Sequence, residues 1–290
     1  MRPPSISLLA IAMTMSSGAF GECLTDQQLA PLVSTWKDDA PVSFSVPAEL
    51  SIADANCSQD RFITLLTPAF GKIVGWKVAA TSAAVQAAVR GGPTRGVLLE
   101  KMMDAEQSQP MKLVAGLRNF EADLILQVKD DGINTANSPL EIIEHLSHFI
   151  PFIELPNAAA TFLPSGFKMT PALLTTINSV GRQGVVGKPV PLTASWAWVI
   201  ALGTMSIVTV QDGKEVSRVS GAASLGNPLN AVGWLIQDLK ASGKKLNAGD
   251  LISTGTFSPP VRPAKGQNFV VRYEGIPTDT KSAEVAVSFD

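Results

Sequence analysis

The stretch Phe120-Glu121-Ala122-Asp123-Leu124-Ile125-Leu126-Gln127-Val128 decides how this chain is read. Phe120, Ala122, Leu124, Leu126 and Val128 alternate with Glu121, Asp123, Ile125 and Gln127, and a period of two predicts a β-strand. Upstream, from Leu24 to about Met103, the pattern reads as mostly helical. Thr25 with Gln28 fits a capping box opening a helix to about Lys37. Ser58 to Ala69 places Phe62, Leu65, Leu66 and Ala69 on one stripe. Ser82 to Arg90 forms a third helix, stopped by Gly91-Gly92-Pro93.

Downstream the chain is β-rich. Asp130-Asp131-Gly132 signals a turn and Ser138 opens a helix to about Leu146. Ile150-Pro151-Phe152-Ile153-Glu154 reads as a short extended piece, its proline placing it at an edge or bulge. Ala194 to Val210 carries no charge, but its β-branched residues and the Asp212-Gly213 turn fit two strands, or a helix and a strand, better than a membrane span. Asn227 and Pro228 start a helix with Leu229, Val232, Leu235, Ile236 and Leu239 on one face, and Gly243 ends it. Leu251 to Thr254, Phe269 to Tyr273 and Glu284 to Phe289 read as strands. The fold class is α+β: a helical N-terminal region (22–110) packed on a β-rich domain (111–290).

The 290 residues are 46% apolar and 17% charged, enough for one large core or two smaller ones. A net charge of −2 without a basic block excludes the electrostatic footprint of a nucleic-acid binder. Residues 1–21 read as an export signal: Arg2, then an apolar run from Ile6 to Met15, then Ala19 and Gly21 as the small residues of a cleavage site. The protein is therefore expected to be periplasmic or secreted, with no membrane span once the signal is removed. Cys23 and Cys57 are the two cysteines, an even count that in an oxidising compartment favours one disulfide over two free thiols. They leave no zinc-finger spacing. His145 and His148, three apart on a predicted helix, read as an exposed face.

Glu121 and Asp123 share a strand face, roughly 6.5–7 Å apart. Two carboxylates so placed can converge on one divalent ion, and Glu154, ending an apolar piece, is a natural third ligand. Magnesium takes oxygen ligands and keeps several waters. On spacing alone a solvated strand face is the better reading.

Six motifs in order weigh against that plain reading. Gly75-Trp76-Lys77-Val78-Ala79-Ala80-Thr81-Ser82 with Val85-Gln86, Gly96-Val97-Leu98, Phe120-Glu121-Ala122-Asp123, Phe152-Ile153-Glu154, Leu225-Gly226-Asn227-Pro228-Leu229-Asn230-Ala231-Val232 and Ala248-Gly249-Asp250-Leu251-Ile252-Ser253-Thr254-Gly255 resemble the motifs of one family. It is the 2-keto-4-pentenoate hydratase and 4-oxalocrotonate decarboxylase branch of the fumarylacetoacetate hydrolase superfamily. The resemblance runs from about residue 70 to the end. It implies a mixed β-sandwich roll, a homo-oligomer, and a Mg2+ or Mn2+ ion held by Glu121, Asp123 and Glu154. It implies a small 2-oxo acid substrate and a lyase, a hydratase above all, working through a metal-stabilised enolate. Lys77, among apolar neighbours, is the catalytic candidate. Gln86, Asn178, Thr254 and Thr256 are candidate substrate contacts. A carbon–carbon bond hydrolase for acylpyruvate-like substrates and a non-catalytic binding protein are the alternatives.

The chain departs from the family at three places. Asp123 stands where glutamate is usual. Leu155-Pro156-Asn157 replaces an aspartate-serine-arginine run. Ile177-Asn178 replaces an aspartate-asparagine pair. The hydrolase branch's N-terminal catalytic histidine has no counterpart, since no histidine precedes His145.

Overall fold

The computed structural model describes residues 23–38, 50–105, 110–113, 119–157 and 169–290. The expected export signal lies outside them. The chain order is α1 (Asp26–Asp38), α2 (Ile52–Phe70), β1 (Ile73–Ala79), α3 (Ala83–Val89), β2 (Thr94–Leu99), β3 (Met103–Ala105), β4 (Glu121–Val128), α4 (Pro139–Glu144) and β5 (Leu146–Leu155). It continues with α5 (Pro171–Thr176), β6 (Gln183–Val186), β7 (Val190–Pro191), α6 (Trp196–Thr204), β8 (Ser206–Gln211), β9 (Lys214–Ser220), α7 (Pro228–Ala241), β10 (Leu251–Ser253), β11 (Asn268–Glu274) and β12 (Ser282–Ser288).

The alternation at 120–128 produces β4, at the middle of a mixed sheet ordered β2-β1-β10-β4-β5-β6-β3, with β7 also on β5. A second, antiparallel sheet, β12-β11-β8-β9, stands against it. The α+β expectation holds. The N-terminal region is less helical than its sequence suggests, because β1, β2 and β3 interrupt it and join the same sheet as β4. Gly75 explains part of this: a Cβ there would lie 2.0 Å from the carbonyl oxygen of Leu251. Only glycine lets β1 lie against β10 at that point.

The helix starts follow side-chain capping. Ser51, Ser82, Ser138, Thr170 and Ser195 each accept an amide hydrogen bond at an N-terminus, and Ser138 with Glu141 completes a capping box. Thr25 and Gln28 bond reciprocally ahead of α1, as the sequence predicts. The Ser51 cap starts α2 six residues earlier than the apolar stripe indicates.

Pro151 is not at an edge. It sits inside the ten-residue strand β5, between β4 and β6. It is tolerated because β5 pairs with β6 over 152–155 and with β7 at 148–149, so its missing N–H falls between two partners. The uncharged stretch 194–210 is the helix α6 followed by the strand β8, turned by Asp212 and Gly213, both at positive φ. Among the described residues no helix is long and apolar enough to cross a membrane. His145 and His148 do not share a helix. His145 caps α4 and bonds Asp130 at 2.6 Å, whereas His148 lies in β5. Cys23 and Cys57 are bonded, Cα atoms 5.6 Å apart, fastening the approach to α1 onto α2.

The two faces of the main sheet differ. Ala122, Leu124 and Leu126 face a core shared with Phe149, Ile153, Phe269, Val271 and Tyr273. Burying this many apolar side chains is the main driving force for the fold. The other face carries the ionisable residues.

Candidate active site

Register brings the site together. Glu121 pairs with Glu154 and Asp123 with Phe152 across β4–β5. Ser253 pairs with Ile125 across β10–β4, and Lys77 with Ser253 across β1–β10. Paired residues share a face, and so do residues two apart along a strand. Lys77, Ser253, Asp123, Glu121 and Glu154 therefore lie on one side of the sheet, although they are spread over 177 positions of sequence.

Lys77 and Glu154 form an ion pair, each 3% exposed. Glu154 Oε2 is buried with no hydrogen-bond partner. Glu121 stands half-buried beside them. Burial and the facing Glu154 carboxylate push its pKa up to about 8, against a smaller opposing pull from Lys77. Asp123 is fully buried. Burial and Glu154 raise its pKa to about 7, opposed by hydrogen bonds from Ser253 and the Leu124 amide and by the Lys77 charge. Those two donors sit at 2.5 Å, one on each carboxylate oxygen.

Lys77, Glu121 and Glu154 line one cavity of about 110 Å3 with Thr81, Ser179 and Thr256. Its apolar wall comes from β1, α3 and α5. Asp123 is not among the lining residues; its carboxylate is turned to Ser253 and the Leu124 amide. Among the described residues no three His, Cys, Asp or Glu side chains are arranged to hold a metal ion as they stand. Glu154 is turned to Lys77 and Asp123 to Ser253. The chemistry of the donor set nevertheless fits a hard cation. Three carboxylates share a buried space, two with raised affinity for protons, and one bare oxygen, Glu154 Oε2, lacks a partner.

Three of the four candidate substrate contacts do not line this cavity. Both polar side-chain atoms of Asn178 bond the backbone of Val97, at 2.6 and 3.0 Å, pinning the turn after α5 to β2. Thr254 is one residue from Ser253, so the pleat points it to the opposite face, where its hydroxyl bonds the Leu124 carbonyl at 3.2 Å. Gln86 donates to the Ala80 carbonyl at 3.0 Å and stands off the cavity wall. Thr256 does line the cavity, with its hydroxyl given to the Ser258 carbonyl at 2.8 Å.

Sequence reasoning missed Ser253 and Tyr273. Ser253 lay inside a quoted motif, and only the β10 register separates it from Thr254. Tyr273 is the one tyrosine in the chain. Its place on a buried alternating face was the available signal, because a buried phenol needs a partner.

No family model matches the chain. A 2-keto-4-pentenoate hydratase of Paraburkholderia phymatum is 29% identical over 209 residues, covering 71% of this chain and 76% of that protein. A 4-oxalocrotonate decarboxylase of Pseudomonas putida is 26% identical, covering 79% and 84%. The structure of 4-oxalocrotonate decarboxylase from Pseudomonas putida G7, complexed with magnesium and adipate, superposes with a TM-score of 0.75 at 25% identity, over 93% of this chain and all of that one. The fold is thus that of fumarylacetoacetate hydrolase-like proteins. Its relatives are named 2-keto-4-pentenoate hydratase and 4-oxalocrotonate decarboxylase, and the chain is similar to that branch of the superfamily.

Proposed function

We propose that this protein is a divalent-metal-dependent hydratase, a hydro-lyase that adds water to a small 2-oxo-4-enoate of the 2-keto-4-pentenoate kind. The observation that carries this reading is the meeting of Lys77, Glu121 and Glu154 on one small cavity. Hydratase relatives spanning most of the chain support it. Glu121, Asp123 and Glu154 would hold Mg2+ or Mn2+. When bound, the cation supplies Lewis acidity toward the oxo and carboxylate oxygens of the substrate.

The chain's own groups do the rest. Lys77 Nζ, paired with Glu154 Oε1, is a proton donor held in a dry site, placed to deliver a proton to a substrate carbon or to orient the attacking water. Glu121, its pKa raised to about 8 by burial and the Glu154 carboxylate, would give up its proton to a bound cation. The apolar wall keeps bulk water out, which strengthens each of these interactions.

The test is direct. Calorimetric titration with magnesium and manganese measures binding, and loss of dienol absorbance on adding 2-hydroxypenta-2,4-dienoate measures hydration. Magnesium binding with an inert dienoate and turnover of an acylpyruvate would move the assignment to the carbon–carbon hydrolase. A non-catalytic binding role on the same fold has its own support: each acid except Glu121 is engaged by a protein partner. Absence of metal binding would favour it.

The Cys23–Cys57 bond supports an oxidising compartment, consistent with the export signal read in residues 1–21. A homo-oligomer is supported by Trp196 and Ile200, 62% and 60% exposed and one helical turn apart on α6. Sedimentation analysis checks it.

A further inference from the structure

Besides Glu154 Oε2, the cavity wall holds one neutral polar group that the protein itself does not use. Thr81 is 3% exposed, lies on the cavity wall, and its Oγ1 is buried without a hydrogen-bond partner. Native interiors rarely leave a hydroxyl so. The position is nevertheless held firmly. Ala80 takes a left-handed φ of 53°, which turns the chain out of β1. The Thr81 carbonyl accepts from the Leu225 amide at 3.2 Å. Opposite, Gly255 has φ +89°, and a Cβ there would fall 2.5 Å from Thr81 Oγ1 and 2.7 Å from the Val78 carbonyl. A glycine is needed for this threonine to occupy its place.

The rest of the wall constrains what enters. Val85, Leu174 and Val180 are apolar. Among the described lining residues Lys77 is the only cation, and Glu154 already neutralises it. A second carboxylate at the far end of a ligand would lose its water there and meet no counter-charge.

We propose that Thr81 is a substrate-binding residue whose hydroxyl hydrogen-bonds an oxygen of the bound acid, and that the apolar wall restricts that acid to one with a short, uncharged tail. This rests on the 2-oxo acid reading above. It goes further by assigning the contact to Thr81 and by assigning the exclusion of a second carboxylate to the wall of Val85, Leu174 and Val180.

The experiment is calorimetric titration of the magnesium-loaded protein with two probes that cannot add water, 2-oxopentanoate and 2-oxoheptanedioate. It is run on the wild type and on Thr81→Val, which keeps the volume and removes the hydroxyl. The wild type should bind the monoacid at least about tenfold tighter than the diacid. Thr81→Val should weaken monoacid binding by about tenfold, the scale of one buried hydrogen bond. Its ligand-free melting midpoint should stay level or rise, since an unpartnered hydroxyl has gone. Unchanged monoacid affinity in Thr81→Val, a lowered midpoint, or a diacid bound as tightly as the monoacid would each overturn the inference while leaving the 2-oxo acid reading intact. Failure of the wild type to bind either probe would overturn both.

Discussion

The hydroxyl of Tyr273, on β11 of the second sheet, donates to the carbonyl of Asp123 on β4, and it also accepts from the amide of Phe152 on β5 at 3.3 Å. Asp123 and Phe152 are register partners, so the phenol stands between two strands that carry the acids. The second sheet thereby sets the spacing of the site from behind. Tyr273→Phe should lower stability by about 1–3 kcal/mol, the cost of stranding buried backbone groups. It should also weaken magnesium binding. Chemical denaturation and calorimetry check the two effects, and unchanged metal affinity would reduce Tyr273 to a packing role.

Lys77 and Glu154 neutralise each other where water is excluded. Lys77→Ala should abolish turnover and cost about 3–5 kcal/mol in the metal-free protein, because it leaves a buried carboxylate unpaired. A Lys77→Met, Glu154→Gln double variant should recover most of that stability and none of the activity. Recovery of activity would remove the lysine from the mechanism.

The raised pKa values of Glu121 and Asp123, about 8 and about 7, fix the sign of a pH effect. Unfolded, both groups ionise near pH 4; folded and metal-free, both hold their protons longer. Stability from these groups is fully present below pH 4 and is lost as pH rises through 7 to 8. The melting midpoint of metal-free protein should therefore fall between pH 5 and 8, and Glu121→Gln should flatten the slope. Magnesium affinity should rise over the same interval, since binding displaces protons. A flat titration of both quantities would count against a shared acidic site.

Gly75→Ala should prevent normal folding or cost several kcal/mol, about 3 or more, because β1 and β10 cannot separate without losing the Lys77–Ser253 register. Soluble expression and circular dichroism measure this. Wild-type stability in that variant would show that the parallel pair tolerates a shift.

The Cys23–Cys57 bond closes a loop of 34 positions ahead of the site. Cys57→Ser should lower unfolding stability by about 2–4 kcal/mol while leaving magnesium affinity unchanged. α1 still reaches the site side through Trp36 Nε1, which donates to the Gly181 carbonyl at 2.9 Å. A loss of metal binding on reduction would tie the bond to the site instead.

Sequence by itself determined the elements whose cause is local. The alternation at 120–128 gave β4, Thr25, Ser82, Ser138 and Asn227 gave four helix starts, and Asp212-Gly213 gave the β8–β9 turn, because pleat, capping and left-handed turns act between near neighbours. The ordered motifs also marked Lys77, Glu121, Asp123 and Glu154 as one chemistry, and the sheet register then put all four on one face. Pairing between distant strands decided what lay beyond local reach. Ser253 faces the acids and Thr254 turns away because β10 lies in one register with β4, and a shift of one residue would exchange them. Asn178 became a brace for β2 because Val97, 81 positions away, offered it both a donor and an acceptor. Whether a polar side chain serves the fold or remains free for a ligand depends on which partners the folded chain brings within hydrogen-bond range. That is a property of tertiary contacts, which no local pattern encodes.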